Sequence, residues 1–240
     1  LYRTRYVCLS VLIVFATACD KGVTDSDFDT TRFTEWEINE AKTISLKMTG
    51  LLEPPTALWQ RFVSELHDIR TEFGEQHSSV NIRYFPGWLP NQVLLQVDEE
   101  TESQIVNGTY DAWDYLNERF GMTETKVYGS WINLYYSGIF HPARVAELYS
   151  ELPGVVSSGT NSVSGMNIYF QIGFHDGVYT YLFGHGWGDC PAGCTDGEYW
   201  YVRYLPDGPQ FVGYWGPNNE IGESTYPVKP EWWEEASQGK

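Results

Sequence analysis

Two Asp-Gly pairs, each set between runs of alternating aromatic and β-branched residues, constrain the fold of this 240-residue chain more than any other feature. The first lies in MNIYFQIGFHDGVYTYLFG, residues 166–184, and the second in EYWYVRYLPDGPQFVGYWG, residues 198–216. Asp-Gly favours the tight, positive-φ turns that join antiparallel strands. The sequence therefore predicts two consecutive hairpins that form a four-stranded antiparallel β-meander within residues 166–227.

The N-terminal stretch LYRTRYVCLSVLIVFATACDKG has the organisation of a secretory signal peptide. Arg3 and Arg5 precede an apolar run over residues 7–15, which is too short to span a bilayer. The small residues that end directly on Cys19 resemble the lipobox of bacterial lipoproteins. The resemblance implies cleavage of residues 1–18 and lipidation of the Cys19 thiol.

The residues after the signal peptide are acidic and polar, and we interpret residues 19–33 as a flexible tether between the lipid and the folded body. No later run approaches about 18 apolar residues, so we expect no second membrane span. The protein is thus expected to be held on a bacterial membrane through the lipid on Cys19. It would face the periplasm or the cell exterior.

The strongly negative charge of the chain limits its partners. The formal net charge is −17, and removal of residues 1–18 takes away two arginines and no acidic residue. The mature chain, at about −19, repels nucleic acid and anionic lipid head groups, so we expect no nucleic-acid partner. Ten Trp and 17 Tyr make the chain too aromatic to be disordered.

The loop between the two hairpins, residues 184–197, carries the candidate chemical site. After removal of the signal peptide and lipidation, Cys190 and Cys194 are the remaining cysteines. Neighbouring cysteines in an exported protein usually oxidise to each other, so we predict a disulfide between them and no cofactor. A metal site and a redox centre stay open as alternatives. The metal site would draw on His185, Asp189, Cys190 and Cys194, although Cys-x₃-Cys is not the usual Cys-x₂-Cys chelate.

The remaining candidate residues are interpreted as structural. The alternating aromatic residues of the meander are taken as its core, with a sugar- or peptide-binding platform as the alternative. The run Asp98-Glu99-Glu100 is taken as a solvated strand end. His67 and His77 are taken as solvated side chains, because no partner lies at the spacing of metal ligands.

Residues 34–91 are expected to combine helix and strand. Residues 34–53 fit either state. The next segment has a helical apolar stripe that starts after Pro55 and ends at Gly74. The stripe consists of Leu58, Phe62, Leu66, Ile69 and Phe73. The sequence SVNIRYFPGW, residues 79–88, predicts a strand that ends at a Pro-Gly turn.

The segment that follows alternates strands with helices. NQVLLQVDEE predicts a strand, and TYDAWDYLNERFG predicts a helix with Thr109 as its N-cap and Gly121 as its end. SWINLYYSG predicts a second strand, and HPARVAELYSELPG predicts a helix with Pro142 in its first turn. An extended stretch follows. Such an order places helices on one face of a sheet.

Residues 92–161 resemble the ferredoxin-like prodomains of secreted subtilisin-type proteases, in particular the fervidolysin type. The resemblance is carried by VLLQVDEET, GTYDAWDYLNERFG, WINLYYS and ARVAELYSELPGVVSSGTN. It implies a ferredoxin-like βαβ unit that binds an exported protease or peptide. The chain as a whole also resembles bacterial lipoproteins that carry the stretch GWGDCPAGC, a resemblance that implies no particular activity.

The expected fold class is α+β, a ferredoxin-like βαβ unit followed by an antiparallel β-meander. The predicted parts are a signal peptide over residues 1–18, an acidic tether over 19–33, a helical and strand segment over 34–91, the prodomain-like unit over 92–165, the meander over 166–227 and an acidic tail over 228–240. We expect a lipid-anchored, non-catalytic binding or inhibitor-like module. The alternative is an enzyme that acts on an envelope or extracellular polymer through His185 and Asp189.

Overall fold

The computed structural model describes residues 28–162, 168–188, 194–217 and 226–237. By its internal contacts the chain divides into residues 1–30 and 31–240, and the α-helices and β-strands of the described ranges all belong to the second unit. Within these ranges, no helix has both the length and the apolar character needed to cross a bilayer.

Six α-helices, two short 3₁₀ helices and eight strands make up the described fold. The α-helices are α1 (Glu35–Thr49), α2 (Thr56–Phe73), α3 (Glu99–Val106), α4 (Asp114–Phe120), α5 (Pro142–Ser150) and α6 (Trp232–Ser237). The strands are β1 (Trp88–Val97), β2 (Met122–Tyr128), β3 (Trp131–Tyr136), β4 (Val155–Ser162), β5 (Ile168–His175), β6 (Val178–Trp187), β7 (Asp196–Leu205) and β8 (Gly208–Trp215). The α+β class predicted from the sequence is confirmed.

The first sheet contains β1 to β4 in the order β2-β3-β1-β4, and all its pairings are antiparallel. Helices α3, α4 and α5 contribute to a core with alternate residues of β1 and β3. Every second residue of these strands is buried, as in Val93, Leu95 and Val97 of β1, so one face of the sheet meets the helices and the other faces away. The chain order is β1-α3-α4-β2-β3-α5-β4, which differs from the β-α-β-β-α-β order of a ferredoxin-like unit by the second helix after β1, and membership of that fold stays a proposal.

The second sheet is the predicted meander, with the strand order β5-β6-β7-β8 and antiparallel pairing throughout. The Asp-Gly turn between β5 and β6 has positive φ at Asp176 (50°) and Gly177 (83°), as expected for a tight hairpin. Helix α2 packs on one face, where Phe62 meets Tyr179 edge to face. Helix α6 packs on the other face, where the Trp232 indole stacks on Tyr201.

Residues 34–53, which fitted helix or strand in the sequence, contain helix α1, Glu35–Thr49. Thr34 and Glu37 form a capping box, in which each side chain satisfies a backbone N–H group of the other residue. Gly50 ends the helix with a left-handed backbone, φ 63°. The sequence contains the signal for this capping box, because Thr34 precedes Glu37 by three residues at the start of the helix.

The predicted strand over residues 79–88 is wrong, as is the interpretation of Thr109 as an N-cap, whereas Asp98-Glu99-Glu100 is exposed directly after β1, as predicted. A short 3₁₀ helix, Ser78–Asn81, and irregular chain occupy the first stretch. Asp98 caps α3 by accepting a hydrogen bond from the Thr101 backbone N–H at 2.7 Å, so the acidic run begins a helix. The N-cap of α4 is Trp113, without a side-chain hydrogen bond.

His67, interpreted as a solvated side chain, is 31 % exposed and also has partners within the fold. Its Nδ1 atom lies 3.0 Å from Oε1 of Glu37, and its ring packs edge to face on Phe33. The ring of His77 stacks on Phe211 of β8 at 4.4 Å between centroids. Both histidines therefore connect elements of the fold.

Candidate binding groove at the edge of the meander

A groove runs between helix α1 and strand β5, and it holds a cavity of about 420 Å³. Helix α1 supplies one wall and β5 the other, while Tyr84 from the chain before β1 closes part of it. Its lining residues are Ile44, Lys47, Met48, Tyr84, Phe170, Gln171, Ile172, Gly173 and Phe174. Five consecutive residues of β5 therefore border the groove.

Strand β5 is the first strand of the meander and pairs there with β6 alone. In the described part of the chain, no strand occupies its outer side. An edge strand presents backbone N–H and C=O groups that can pair with an added strand. A groove with an edge strand on one side and a helix on the other is a setting in which extended peptides bind by strand addition.

The groove combines buried and exposed apolar side chains. Ile44 is buried in α1, whereas Met48 and Phe174 are 43 % and 62 % exposed. The Tyr84 ring packs at 5.3 Å from the Phe170 ring, and burial raises the pKa of the Tyr84 phenol. Exposed large apolar side chains next to a cavity mark a surface that can bury an apolar ligand group.

A single cation, Lys47, lies in the lining of the groove. It forms none of the ion pairs found in the described residues, and its side chain is exposed. In a chain of net charge −17, an exposed lysine beside an apolar cavity is a local site for an anionic group. The groove can thus accept an apolar side chain and a carboxylate at neighbouring positions.

A buried ion pair positions the wall that carries Tyr84. Arg70 of α2 donates two hydrogen bonds to Glu40 of α1, at 2.6 and 2.8 Å. Glu40 also accepts from the Tyr84 backbone N–H at 2.5 Å, and Arg70 donates to the carbonyls of Val80 and Ile82 at 3.2 Å. These contacts fix the irregular chain between α2 and β1 against both helices, because five hydrogen bonds converge on one buried pair.

The predicted chemical loop is only partly within the described residues. His185 lies in β6, with its ring 5.9 Å from that of Trp187, and Cys194 lies two residues before β7. Asp189 and Cys190 fall outside the described residues, as does Cys19. The disulfide, the lipidated cysteine and the enzyme hypothesis that rests on His185 and Asp189 therefore stay predictions.

Two glycines of this loop lie in crowded surroundings. A Cβ atom on Gly186 would lie 2.6 Å from Sγ of Cys194, and one on Gly188 would lie 2.0 Å from Oγ1 of Thr195. Gly188 also has φ 88°, which disfavours any side chain. Within the ranges that the structure describes, no three His, Cys, Asp or Glu side chains come together as metal ligands.

A second polar cluster, which the sequence did not reveal, joins α2 to the meander. Glu65 is 3 % exposed, accepts a short hydrogen bond from the Tyr181 hydroxyl and accepts another from Nε of Arg61 at 2.6 Å. Asp68, one turn along, accepts from the Tyr204 hydroxyl at 2.5 Å. Glu65 and Asp68 look like solvated helix positions in the sequence, because nothing local shows that their face meets tyrosines.

The Glu65 carboxyl gives the protein a pH-dependent stability. Burial raises the pKa of Glu65 more than the hydrogen bonds from Tyr181 and Arg61 lower it. The pKa of a Glu carboxyl in the unfolded chain is about 4.3. When its pKa in the folded protein is higher, the group stabilises the fold fully at pH values below about 4.3. That stabilisation is lost as pH rises through the pKa of the folded state. Glu65→Gln should therefore gain stability relative to the parent as pH increases from 4 to 8.

Urea unfolding of the parent and of Glu65→Gln at several pH values measures the difference between their free energies of unfolding. Glu53→Gln is the matched control, because the Glu53 side chain is 64 % exposed and should leave the difference nearly constant. A difference for Glu65→Gln that also stays constant from pH 4 to 8 would contradict the assignment of a raised pKa.

Comparison of the chain with models of protein families, with curated proteins and with solved structures finds no match.

Proposed function

We propose that this protein is a lipid-anchored, extracytoplasmic binding module that captures an extended peptide segment in the groove between α1 and β5. The observation that carries the proposal is the open edge of β5 beside a cavity of about 420 Å³. Backbone pairing supplies affinity that does not depend on sequence, and the cavity selects a side chain. No catalytic group is needed for this role.

The groove favours a peptide with an apolar side chain close to a carboxylate. The apolar group packs among Ile44, Met48 and Phe174, and the carboxylate lies against Lys47. Because the rest of the chain is strongly acidic, a peptide with many carboxylates is repelled, whereas one carboxylate directed at Lys47 is not. A chain terminus or a single acidic residue fits this requirement.

The proposed anchor places the groove in an exported environment. Lipidation of Cys19 would hold the protein on a bacterial membrane, and the acidic segment that follows it would let the folded part, which includes Phe33, reach partners around it. The partners would be exported proteins, including proteases, that expose an extended segment. An inhibitor-like role follows if that segment belongs to a protease.

Fluorescence anisotropy with labelled decapeptides tests the groove. The probes are peptides with leucine or phenylalanine near a free C-terminal carboxylate, and the same peptides with an amidated C-terminus. We expect dissociation constants on the order of micromolar for the free carboxylates. Lys47→Glu should weaken that binding by at least about tenfold and affect the amidated peptides much less, because the ion pair becomes a repulsion.

Lys42→Glu is the control, because it makes the same charge change on α1 outside the groove lining. Melting curves of both variants confirm folding. Phe174→Ala removes an exposed apolar wall without disturbing charge, and it should weaken both kinds of peptide. The proposal is wrong if no probe binds at millimolar concentration, or if Lys42→Glu and Lys47→Glu weaken binding equally.

A further inference from the structure

The face of the first sheet that points away from the helices forms a regular array of side chains, which we call the open face. By strand pairing, Tyr128, Trp131 and Gln96 are neighbours across three strands, and Ser157 follows Gln96 on the fourth. Its other residues are Lys126, Asn133, Leu94 and Gly159 in the next row, and Glu124, Tyr135, Gln92 and Asn161 in the third.

The aromatic residues of the open face are accessible. Trp131 is 43 % exposed and Tyr128 is 61 % exposed, although both lie in a sheet whose other face is a closed core. Tyr135 stands four residues from Trp131 on the same strand, about 13 Å away. In the described residues, the one cation–π contact on these three rings is Lys126 over Tyr135.

Side-chain amides occupy four positions between the rings, Gln92, Gln96, Asn133 and Asn161. Nδ2 of Asn161 donates to Oε1 of Gln92 at 3.1 Å, and Oγ of Ser157 donates to Oε1 of Gln96 at 3.2 Å. These pairs hold the amides in place and leave donors and acceptors for a ligand. Oδ1 of Asn133, at the centre, is closed to solvent and accepts no hydrogen bond from a described residue, so the accessible amide groups around it would make the contacts to a ligand.

The open face carries no net charge. Its two charged residues form an ion pair, in which Nζ of Lys126 lies 3.3 Å from Oε2 of Glu124, so their charges cancel. A neutral array is unusual on a chain of net charge −17, and it does not attract nucleic acid or any polyanion. Leu94 is its one aliphatic residue, so a ligand would meet mainly aromatic rings and polar groups.

The middle row provides space for a ligand between the outer rows. A Cβ atom added to Gly159 would meet no heavy atom within 4 Å. The middle row, which contains Leu94, Asn133 and Gly159, lies between the row of Trp131 and the row of Tyr135. Its length across four strands is about 14 Å, enough for about two or three pyranose rings.

We propose that the open face binds a neutral oligosaccharide. The C–H faces of sugar rings stack on Trp131, Tyr128 and Tyr135, while hydroxyl groups exchange hydrogen bonds with the amides of Gln92 and Gln96. This site is separate from the peptide groove and does not depend on it. A protein anchored at the cell surface would use it to bind neutral surface or extracellular glycan.

Isothermal titration of the full chain with neutral β-1,4-linked hexasaccharides of glucose, xylose and N-acetylglucosamine tests this proposal. At least one probe should bind with a dissociation constant below about 1 mM. Trp131→Ala should weaken that binding at least about tenfold, as expected when a stacking ring is lost. Trp131→Phe should retain most of it.

Tyr128→Ala and Tyr115→Ala form a matched pair, because both tyrosines are 61 % exposed and Tyr115 lies on α4, away from the open face. Tyr128→Ala should weaken binding, whereas Tyr115→Ala should not. This pair also carries the test if Trp131→Ala fails to fold. The proposal is overturned if no hexasaccharide binds, or if the two tyrosine variants bind sugar equally well. It is also overturned if only an acidic polysaccharide binds, or if an unfolded polypeptide displaces the sugar.

Discussion

Arg70→Met is expected to lower the free energy of unfolding by about 3–5 kcal/mol, because it leaves a buried carboxylate without its cation. The Arg70 and Glu40 side chains are 7 % and 4 % exposed, and they share two hydrogen bonds. Methionine has a similar length but no charge, so the Glu40 carboxylate keeps one donor, the Tyr84 N–H. Urea unfolding monitored by tryptophan fluorescence measures the loss.

The double variant Glu40→Gln with Arg70→Met separates the loss of the pair from the burial of a lone charge. It removes both charges and should recover a large part of the stability lost in Arg70→Met. Glu53→Ala is the surface control, because its partner Arg119 is 3.8 Å away and both side chains are more than half exposed. Its effect should stay within about 1 kcal/mol. Equal losses for Arg70→Met and Glu53→Ala would contradict the structural role assigned to the buried pair.

Loss of the Arg70–Glu40 pair should also change the peptide groove. The same pair fixes the Tyr84 backbone, and Tyr84 lines the groove. Under conditions in which Arg70→Met remains folded, the groove should therefore bind peptide probes more weakly than the parent does. The open face, built from the first sheet, should keep its affinity for sugar.

Tyr181→Ala is expected to destabilise the protein by about 3–5 kcal/mol. Tyr181 is fully buried between the meander and α2, with its ring 6.4 Å from Phe183 and its hydroxyl on Glu65. The substitution leaves a cavity the size of an aromatic ring, and it removes one donor from a buried carboxyl group. Thermal and urea unfolding should both report the loss.

Tyr181→Phe isolates the contribution of the hydroxyl. The substitution keeps the ring and should lower the free energy of unfolding by about 1–3 kcal/mol, the range for a buried acceptor that loses one partner. The loss is smaller than for Tyr181→Ala because Arg61 still donates a hydrogen bond to Glu65. Tyr115→Ala, at an exposed tyrosine, should stay within about 0.5 kcal/mol. If Tyr181→Ala were as mild as Tyr115→Ala, α2 would not depend on this contact to hold the meander.

The peptide groove could not have been located from the sequence. Its two walls come from residues near 44 and near 172, and α1 itself was not distinguished from a strand. The alternation of β5 indicated a strand, but alternation does not tell an edge strand from a central one. That difference depends on which strands pair, and therefore on contacts between residues far apart in the chain.

The open face has a similar origin. The sequence pointed to residues 166–215 for an aromatic platform, and Tyr169, Phe174 and Tyr214 of the meander are exposed, but the open face lies on the first sheet. Strand β2, over Met122–Tyr128, and helix α3 were missed because their polar residues give little periodic signal. Without β2 the pairing of Tyr128 with Trp131 could not be predicted.

The sequence by itself determined the elements whose signals are local. Asp176 and Gly177 set the first hairpin because that turn needs positive φ, and the apolar stripe from Leu58 to Phe73 set α2 because a helix repeats every 3.6 residues. Only the tertiary structure decided which charges are buried and which faces stay open. In the sequence, Glu40 and Glu65 look like ordinary surface residues, but both are buried in the structure. Desolvation of a carboxylate depends on how the helices and the sheet pack, and not on the neighbouring residues in the sequence.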